Sequence, residues 1–263
     1  MKHEILSQIN AECPWRDTLY WYESIDSTNT QAKALAKDGA PHGTLLVAKT
    51  QTGGRGRMGR SFLSPSGGVY LSVILRPGCS PEKLMHLTCA TAVAGCKAVA
   101  QACGVCPNIK WTNDLVYGKK KLGGILTELV LDGNGLVACA IIGIGINCEK
   151  PMELPPELQN TVTSIQEISN TPCTPEKLTA KLIEALYKMD QVLLTGKQEM
   201  MSYYRQQCIT LGQEIKVVTG DSVEYGTALD LDEDGGLLVR FRDGSEKIVA
   251  SGEVSVRGMY GYL

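Results

Sequence analysis

The sequence predicts an α+β protein: a mixed, largely antiparallel sheet with packed helices over residues 1–211, then a small barrel over residues 212–263. Three observations carry that reading. Apolar runs follow one another across tight turns at Gly118 and at Asp132-Gly-Asn-Gly135, which pairs them antiparallel instead of as a strand–helix–strand series. Long stretches repeat apolar residues at three and four, the mark of buried helices. After Gly212 the texture changes to short strands separated by Gly220-Asp221, Asp234-Gly235, Asp243-Gly244 and Ser251-Gly252, as in a five-stranded barrel.

Ser27, Thr28 and Asn29 are all helix-capping residue types, Ala32, Leu35 and Ala36 keep helical spacing behind them, and Gly39 and Pro41 stop the helix. Residues 44–48 form an apolar strand that runs into a glycine- and arginine-rich loop, residues 53–60, and residues 69–75 form the next strand. Residues 81–102 read as one long helix, whose alanines and cysteines suit close packing on a sheet. Strands are expected at residues 108–111, 122–131 and 136–146, then a looser segment punctuated by Pro151, Pro155, Pro156, Pro172 and Pro175. Helices follow at residues 175–194 and 197–208, and the barrel strands at residues 215–218, 223–231, 237–241, 248–250 and 254–257.

At 263 residues, 43% hydrophobic, 21% charged and a net charge of −2, the chain can bury a core and is neither a disordered tail, a collagen-like fibre nor a polycation. No apolar run approaches the ~20 residues of a membrane span, and the N-terminus mixes acid, base and proline where a secretory signal is apolar. A cytoplasmic location is expected. Ten scattered cysteines, several in apolar segments, fit a reduced inventory of small buried hydrophobes. Cys103 and Cys106 form a C-x-x-C pair, open to a zinc or redox reading, but no second pair stands at metal spacing and His3, His42 and His86 are dispersed. The first 26 residues are too few for a helix-turn-helix module.

Gly54-Arg-Gly-Arg-Met-Gly59 matches the dinucleotide pattern G-x-G-x-x-G, but a strand follows it, so no helix N-terminus is offered to a pyrophosphate. The loop reads better as an anion clamp. Between Lys49 and Arg60 stand four positive residues and no acid, and the glycines let the backbone close around what the guanidinium groups hold. The alternatives are a solvated basic loop or a nucleic-acid contact. Residues 221–246, with eight acids and two arginines, speak against nucleic acid. Lys110 lies between Ile109 and Trp111 on a short strand, so alternation sends it to the opposite face, either into a pocket as a fixed charge or onto an edge that discourages pairing. Gly123, Gly124, Gly143 and Gly145 sit within strands, where missing side chains leave room for a ligand or mark a bulge.

Ser27-Thr-Asn29, Gln51-Thr-Gly-Gly-Arg-Gly-Arg-Met-Gly-Arg60, Ser64-Pro65, Lys110-Trp-Thr-Asn-Asp-Leu115, Lys121-Leu-Gly-Gly-Ile-Leu126, Gly143-Ile-Gly-Ile-Asn147 and Gly252-Glu-Val-Ser-Val-Arg257 resemble, in order, the motifs of the biotin protein ligases. The resemblance implies a class II synthetase-like catalytic domain with an SH3-like barrel, and a two-step reaction. Biotin and ATP give biotinyl-5′-AMP and pyrophosphate, and the biotinyl group then passes to a lysine of the biotin carboxyl carrier domain of a carboxylase. It implies a biotin site of Ser27, Thr28, Asn29, Gln51, Arg55, Gly56, Arg57, Lys110 and Gly124. It implies an ATP or adenylate site of Arg55, Arg57, Arg60, Phe62, Lys110 and Asn147, with Lys110 and Arg57 catalytic and Asn147 reading adenine. Mg²⁺ is expected, with Asp114 as a candidate ligand. Lipoate ligase or octanoyltransferase chemistry is the nearest alternative.

The expected chemistry agrees with the residues: a carboxylate must meet a polyanion, so positive groups are the catalyst. Two departures stand out. Phe62 occupies a position where the family often has Trp, and Thr112 replaces the proline of K-W-P-N-D. The chain resembles the shorter, ligase-only members, so DNA binding is not expected, and a homodimer is left open.

Overall fold

The computed structural model describes residues 1–150 and 155–250, together with the backbone of residues 255–258. In chain order the elements are α1 (Lys2–Gln8), β1 (Leu19–Ile25), α2 (Thr28–Lys37), β2 (Thr44–Gln51), β3 (Gly68–Leu75), α3 (Leu87–Cys103), β4 (Asn108–Lys110), β5 (Asp114–Tyr117), β6 (Lys120–Leu131) and β7 (Val137–Asn147). There follow α4 (Ile165–Ile168), α5 (Pro175–Val192), α6 (Lys197–Gln207), β8 (Glu214–Thr219), β9 (Ser222–Leu231), β10 (Leu237–Phe241), β11 (Glu246–Val249) and β12 (Ser255–Gly258).

The first seven strands form one sheet in the order β1-β2-β3-β7-β6-β5-β4, parallel between β1 and β2 and antiparallel elsewhere. Alternation along the strands divides its two faces. Leu45 and Val47 of β2, Val69, Leu71 and Val73 of β3, and Ala140, Ile142 and Ile144 of β7 join the main core with α3, α5 and α6. The approach of α3 is close enough that a Cβ on Gly95 would lie 3.0 Å from methyls of both Leu115 and Ile144. On the other face Leu46, Ile74, Cys139 and Ile141 pack under Ala32 and Ala36 of α2. Further along that second face the same alternation brings up Ser72, Gly143, Gly145 and Gly124, where small residues leave space.

Several expectations shift. The helix expected from residue 81 is a 3₁₀ turn, Pro81–Leu84, followed by α3 from Leu87, with His86 at the junction as N-cap. The early strand β1 is parallel, and β5 adds a strand between Lys110 and Gly118. The C-terminal strands form an antiparallel five-stranded sheet, β11-β10-β9-β8-β12. Closing a barrel requires β11 against β12, and no such pairing occurs among the described residues. The Pro151 position and the Ser251-Gly252 turn, with Glu253 and Val254 of the last motif, lie outside the described residues. No helix among the described residues is long and apolar enough to cross a membrane.

The C-terminal sheet is tied to the strand-end loop that follows Lys110. Trp111 donates its ring Nε1 to the Gly235 carbonyl at 2.9 Å and its backbone N–H to Thr210 Oγ1 at 2.9 Å. Tyr204 of α6 donates to the Thr112 carbonyl at 2.9 Å. Three buried polar contacts thus hold residues 111–112 from the side away from the second face.

Candidate active site

A cavity of about 470 Å³ lies on the uncovered part of the second sheet face, within the roughly 300–1,000 Å³ usual for small-molecule sites. Its polar rim comes from the start of α2. Ser27 is the N-cap, its Oγ accepting from the Thr30 N–H at 3.4 Å, so Thr28 and Asn29 fall in the first helical turn. All three are buried. The Thr28 N–H and hydroxyl both donate to Gln51 Oε1, at 2.8 and 3.1 Å, and Gln51 Nε2 donates to Ser64 Oγ at 2.8 Å. Thr28 and Gln51 are thus bonded directly in one rim, and Asn29 joins it through the Ser72 hydroxyl.

The floor needs its glycines. A Cβ on Gly143 would lie 2.1 Å from Asn29 Oδ1, one on Gly145 2.5 Å from the Phe62 ring, and one on Gly124 3.2 Å from the same ring. Any side chain at Gly143 or Gly145 displaces a cavity wall.

The glycine-arginine loop extends the β2 and β3 strands as an irregular ladder, with bridges Gln51 to Ser64 and Arg55 to Ser61. Gly54 is forced: a Cβ there would lie 2.2 Å from the Phe62 carbonyl oxygen. The loop tip carries Met58 at φ 55°, a left-handed conformation uncommon without glycine. Its side chains go to different places. Arg57 turns into the cavity wall, donating from Nη1 to Thr112 Oγ1 at 3.0 Å and Asn113 Oδ1 at 3.2 Å. Burial pushes its guanidinium pKa down, Asp114 opposes that, and Arg60 adds to it. Arg55 reaches Glu128 instead, Nη1 to Oε1 3.8 Å, while Arg60 stays exposed at the mouth. Gly56 lines the cavity beside them.

Lys110 combines two placements. It sits on β4, the edge strand of the sheet, and it lines the cavity while Ile109 and Trp111 are buried on the other side. Asp114 also lines the cavity, in an ion pair of 2.7 Å with Lys121. Lys121 is a site residue that sequence reasoning passed over. Its Nζ pairs with Asp114 and stands 5.8 Å from the Phe62 ring centroid. The signal was present, since Lys121 stands near the start of the strand that carries Gly123 and Gly124. Asn147 stands apart from the others: it donates from Nδ2 to the Thr163 carbonyl at 3.0 Å and is not among the cavity-lining residues. Cys103 is buried and donates its thiol to the Val99 carbonyl, whereas Cys106 is exposed. No cluster of three His, Cys, Asp or Glu side chains suited to a metal occurs among the described residues.

The arrangement can therefore hold polar groups at the rim and negative charge among Arg57, Lys110 and Lys121. Comparison with known proteins fits this chemistry. The biotin/lipoate A/B protein ligase family matches residues 21–147, and the biotin protein ligase C-terminal domain matches residues 210–257. The bifunctional ligase/repressor BirA of Bacillus subtilis is 34% identical over 236 residues, covering 89% of this chain and 72% of that protein. The biotin--[acetyl-CoA-carboxylase] ligase of Paracoccus denitrificans is 30% identical, covering 86% of this chain and 95% of that protein. Among solved structures, the Aquifex aeolicus biotin protein ligase in complex with biotin and ATP superposes with a TM-score of 0.77 at 29% identity, covering 92% of this chain and 99% of that one. With a rim, floor and cationic wall in place beneath these matches, the chain belongs to the biotin/lipoate A/B protein ligase family, among its biotin protein ligases.

Proposed function

We propose that the chain activates biotin with ATP to give biotinyl-5′-AMP and pyrophosphate, and transfers the biotinyl group to a lysine of a biotin carboxyl carrier domain, with both steps in the cavity on the second sheet face. The observation that carries this reading is the convergence, in one cavity, of the Thr28-Asn29-Gln51 rim, the Gly124-Gly143-Gly145 floor, and the cations Arg57, Lys110 and Lys121.

In the first step a carboxylate oxygen of biotin attacks the α-phosphorus, the bond to the β-phosphate oxygen breaks, and pyrophosphate leaves. Both reactants are anions, so their approach is opposed until fixed positive charge offsets it, and preorganised cations do so without reorganising as charge shifts. Arg57, pinned by Thr112 and Asn113, and Lys110, mounted on a strand, are such groups. Phe62, which lines the cavity, offers an aromatic face to adenine. In the second step the neutral amine of the carrier lysine attacks the acyl carbon. The bond to the AMP oxygen breaks, the amide forms, and the amine gives up a proton as AMP departs. The glycine-arginine loop excludes water from the mixed anhydride meanwhile.

Asp114, a cavity-lining carboxylate that Lys121 contacts at 2.7 Å, would be the residue to hold a magnesium ion, which needs only one or two carboxylates. Bound there, it would screen phosphate charge. Dividing the chain near residue 211 assigns these steps to residues 1–211 and support of the residue 111–112 segment to residues 212–263. An ATP-consuming reaction of this kind suits the cytoplasm.

The test is pyrophosphate release with biotin, lipoate or octanoate as the acid. Release that requires biotin and ATP together, with labelling of a carrier domain, supports the reading. Equal release with lipoate or octanoate would move the chain to the lipoate branch.

A further inference from the structure

Glu128 lies on β6, outside every motif that marked the site, on the same side of the strand as Gly124 and Leu126. Three side chains from two elements converge on its mostly buried carboxylate. Lys33 of α2 donates to Oε1 at 2.6 Å, Asn29 Nδ2 donates to Oε2 at 3.0 Å, and Arg55 of the glycine-arginine loop places Nη1 3.8 Å from Oε1. Burial would raise the carboxyl pKa, but the hydrogen bonds from Lys33 and Asn29 and the charges of Lys33 and Arg55 outweigh it and hold it below the ordinary range. The group is therefore an anion at neutral pH.

An asparagine carboxamide can sit in a slot either way round, and only its neighbours decide which end is donor. Here one side of Asn29 presents acceptors alone: the Glu128 carboxylate and the Leu126 carbonyl, the latter 3.2 Å from Nδ2. That side admits only the NH₂. Oδ1 is thereby turned to the buried Ser72 hydroxyl at 2.7 Å, whose oxygen also lies 2.8 Å from Thr28 Oγ1. Gln51 Oε1 is held from Thr28 by the backbone N–H at 2.8 Å whichever way that hydroxyl points. The donor or acceptor sense of Asn29 and Ser72 thus depends on a charge at one end.

We propose that Glu128 is a positioning residue for the acid substrate: its carboxylate sets the direction of the Asn29–Ser72 end of the rim that reads a cyclic urea and ties Arg55 to the same point, joining substrate recognition to the loop. This rests on the biotin ligase reading above. A charge that merely anchored α2 through Lys33 would leave rim polarity unaffected.

The experiment measures biotin binding by calorimetry without ATP, with thermal melting and steady-state kinetics, in wild type, Glu128→Gln, Glu128→Asp and Lys33→Met. Glutamine keeps the shape but offers an NH₂ as well as an oxygen, so Asn29 can turn over. The expected result is biotin binding weakened about tenfold in Glu128→Gln and partly restored in Glu128→Asp. Turnover at saturating biotin should stay within about twofold of wild type, and the melting temperature within about 4 °C. Lys33→Met, which removes the helix ion pair and leaves the Asn29 acceptor, should bind biotin as wild type does. Wild-type affinity in Glu128→Gln overturns the proposal, as does an equal loss in Lys33→Met. A wild-type protein that fails to bind biotin overturns the ligase reading instead.

Discussion

Arg57 and Thr112 show how a single hydroxyl shapes this site. The Arg57 guanidinium is drawn into the cavity wall by two acceptors on the strand-end loop, and the Thr112 Oγ1 contact at 3.0 Å is one that the proline of K-W-P-N-D has no atom to make. On the proposed ligase reading, removing it frees part of the loop's restraint on the adenylate. Thr112→Val should raise escape of activated biotin, read as labelling of unrelated lysines, by roughly three- to tenfold, and Thr112→Ser should return it to the wild-type level. Equal leakage from all three proteins would show that the hydroxyl does not restrain Arg57. Much of the residue-level site was legible because its side chains come in short runs with a chemical logic, as in Ser27 to Asn29 and Gln51 to Arg60. Ser72 and Glu128 were not, because nothing local marks them. They stand 43 and 99 residues from Asn29 along the chain, and only the strand order brings them to it.

At the scale of elements, periodicity located the buried strands and long helices and failed where burial is one-sided or the run short. β1 alternates between exposed and half-buried aromatic and charged residues at a sheet edge, which blurs its apolar pattern. The four residues of β5 are too few to show a period. The false start of α3 at residue 81 has a local cause, since Pro81 suits the first turn of either helix type and the chain turns again at His86. His86 is itself an unusual cap. It is 1% exposed, its Nε2 bonds the Leu193 carbonyl at 3.0 Å, and its buried Nδ1 has no hydrogen-bond partner. Burial lowers the ring pKa, helped by Lys197 and opposed by the Leu193 bond and Asp234. The unfolded chain therefore takes up a proton near the ordinary imidazole value of ~6.5 that the folded chain resists. With more protons bound unfolded than folded, stability falls as pH drops through that value. Melting curves between about pH 7.5 and 5.5 should show a larger loss for wild type than for His86→Gln. Parallel losses in the two proteins would mean that this ring stays neutral in both states.

For the whole molecule, the sheet separates two tasks. One face, filled by α3, α5 and α6, supplies the core; the other, covered by α2 at one end, leaves a glycine-floored cavity whose cations come from β4, β6 and the loop between β2 and β3. The C-terminal sheet steadies that cavity indirectly, through Gly235 and Trp111, next to Lys110. The sequence pattern foretold a second β unit, but not this contact, since a turn glycine and a strand-end tryptophan 124 residues apart carry no sign of each other. The most direct measurement is a crystal structure of the chain with biotinyl-5′-AMP bound. The predicted result is the phosphate and acyl oxygens within about 3 Å of Arg57 and Lys110 nitrogens, beneath a closed loop. Ligand bound away from both cations, with the loop directed into solvent, would contradict it.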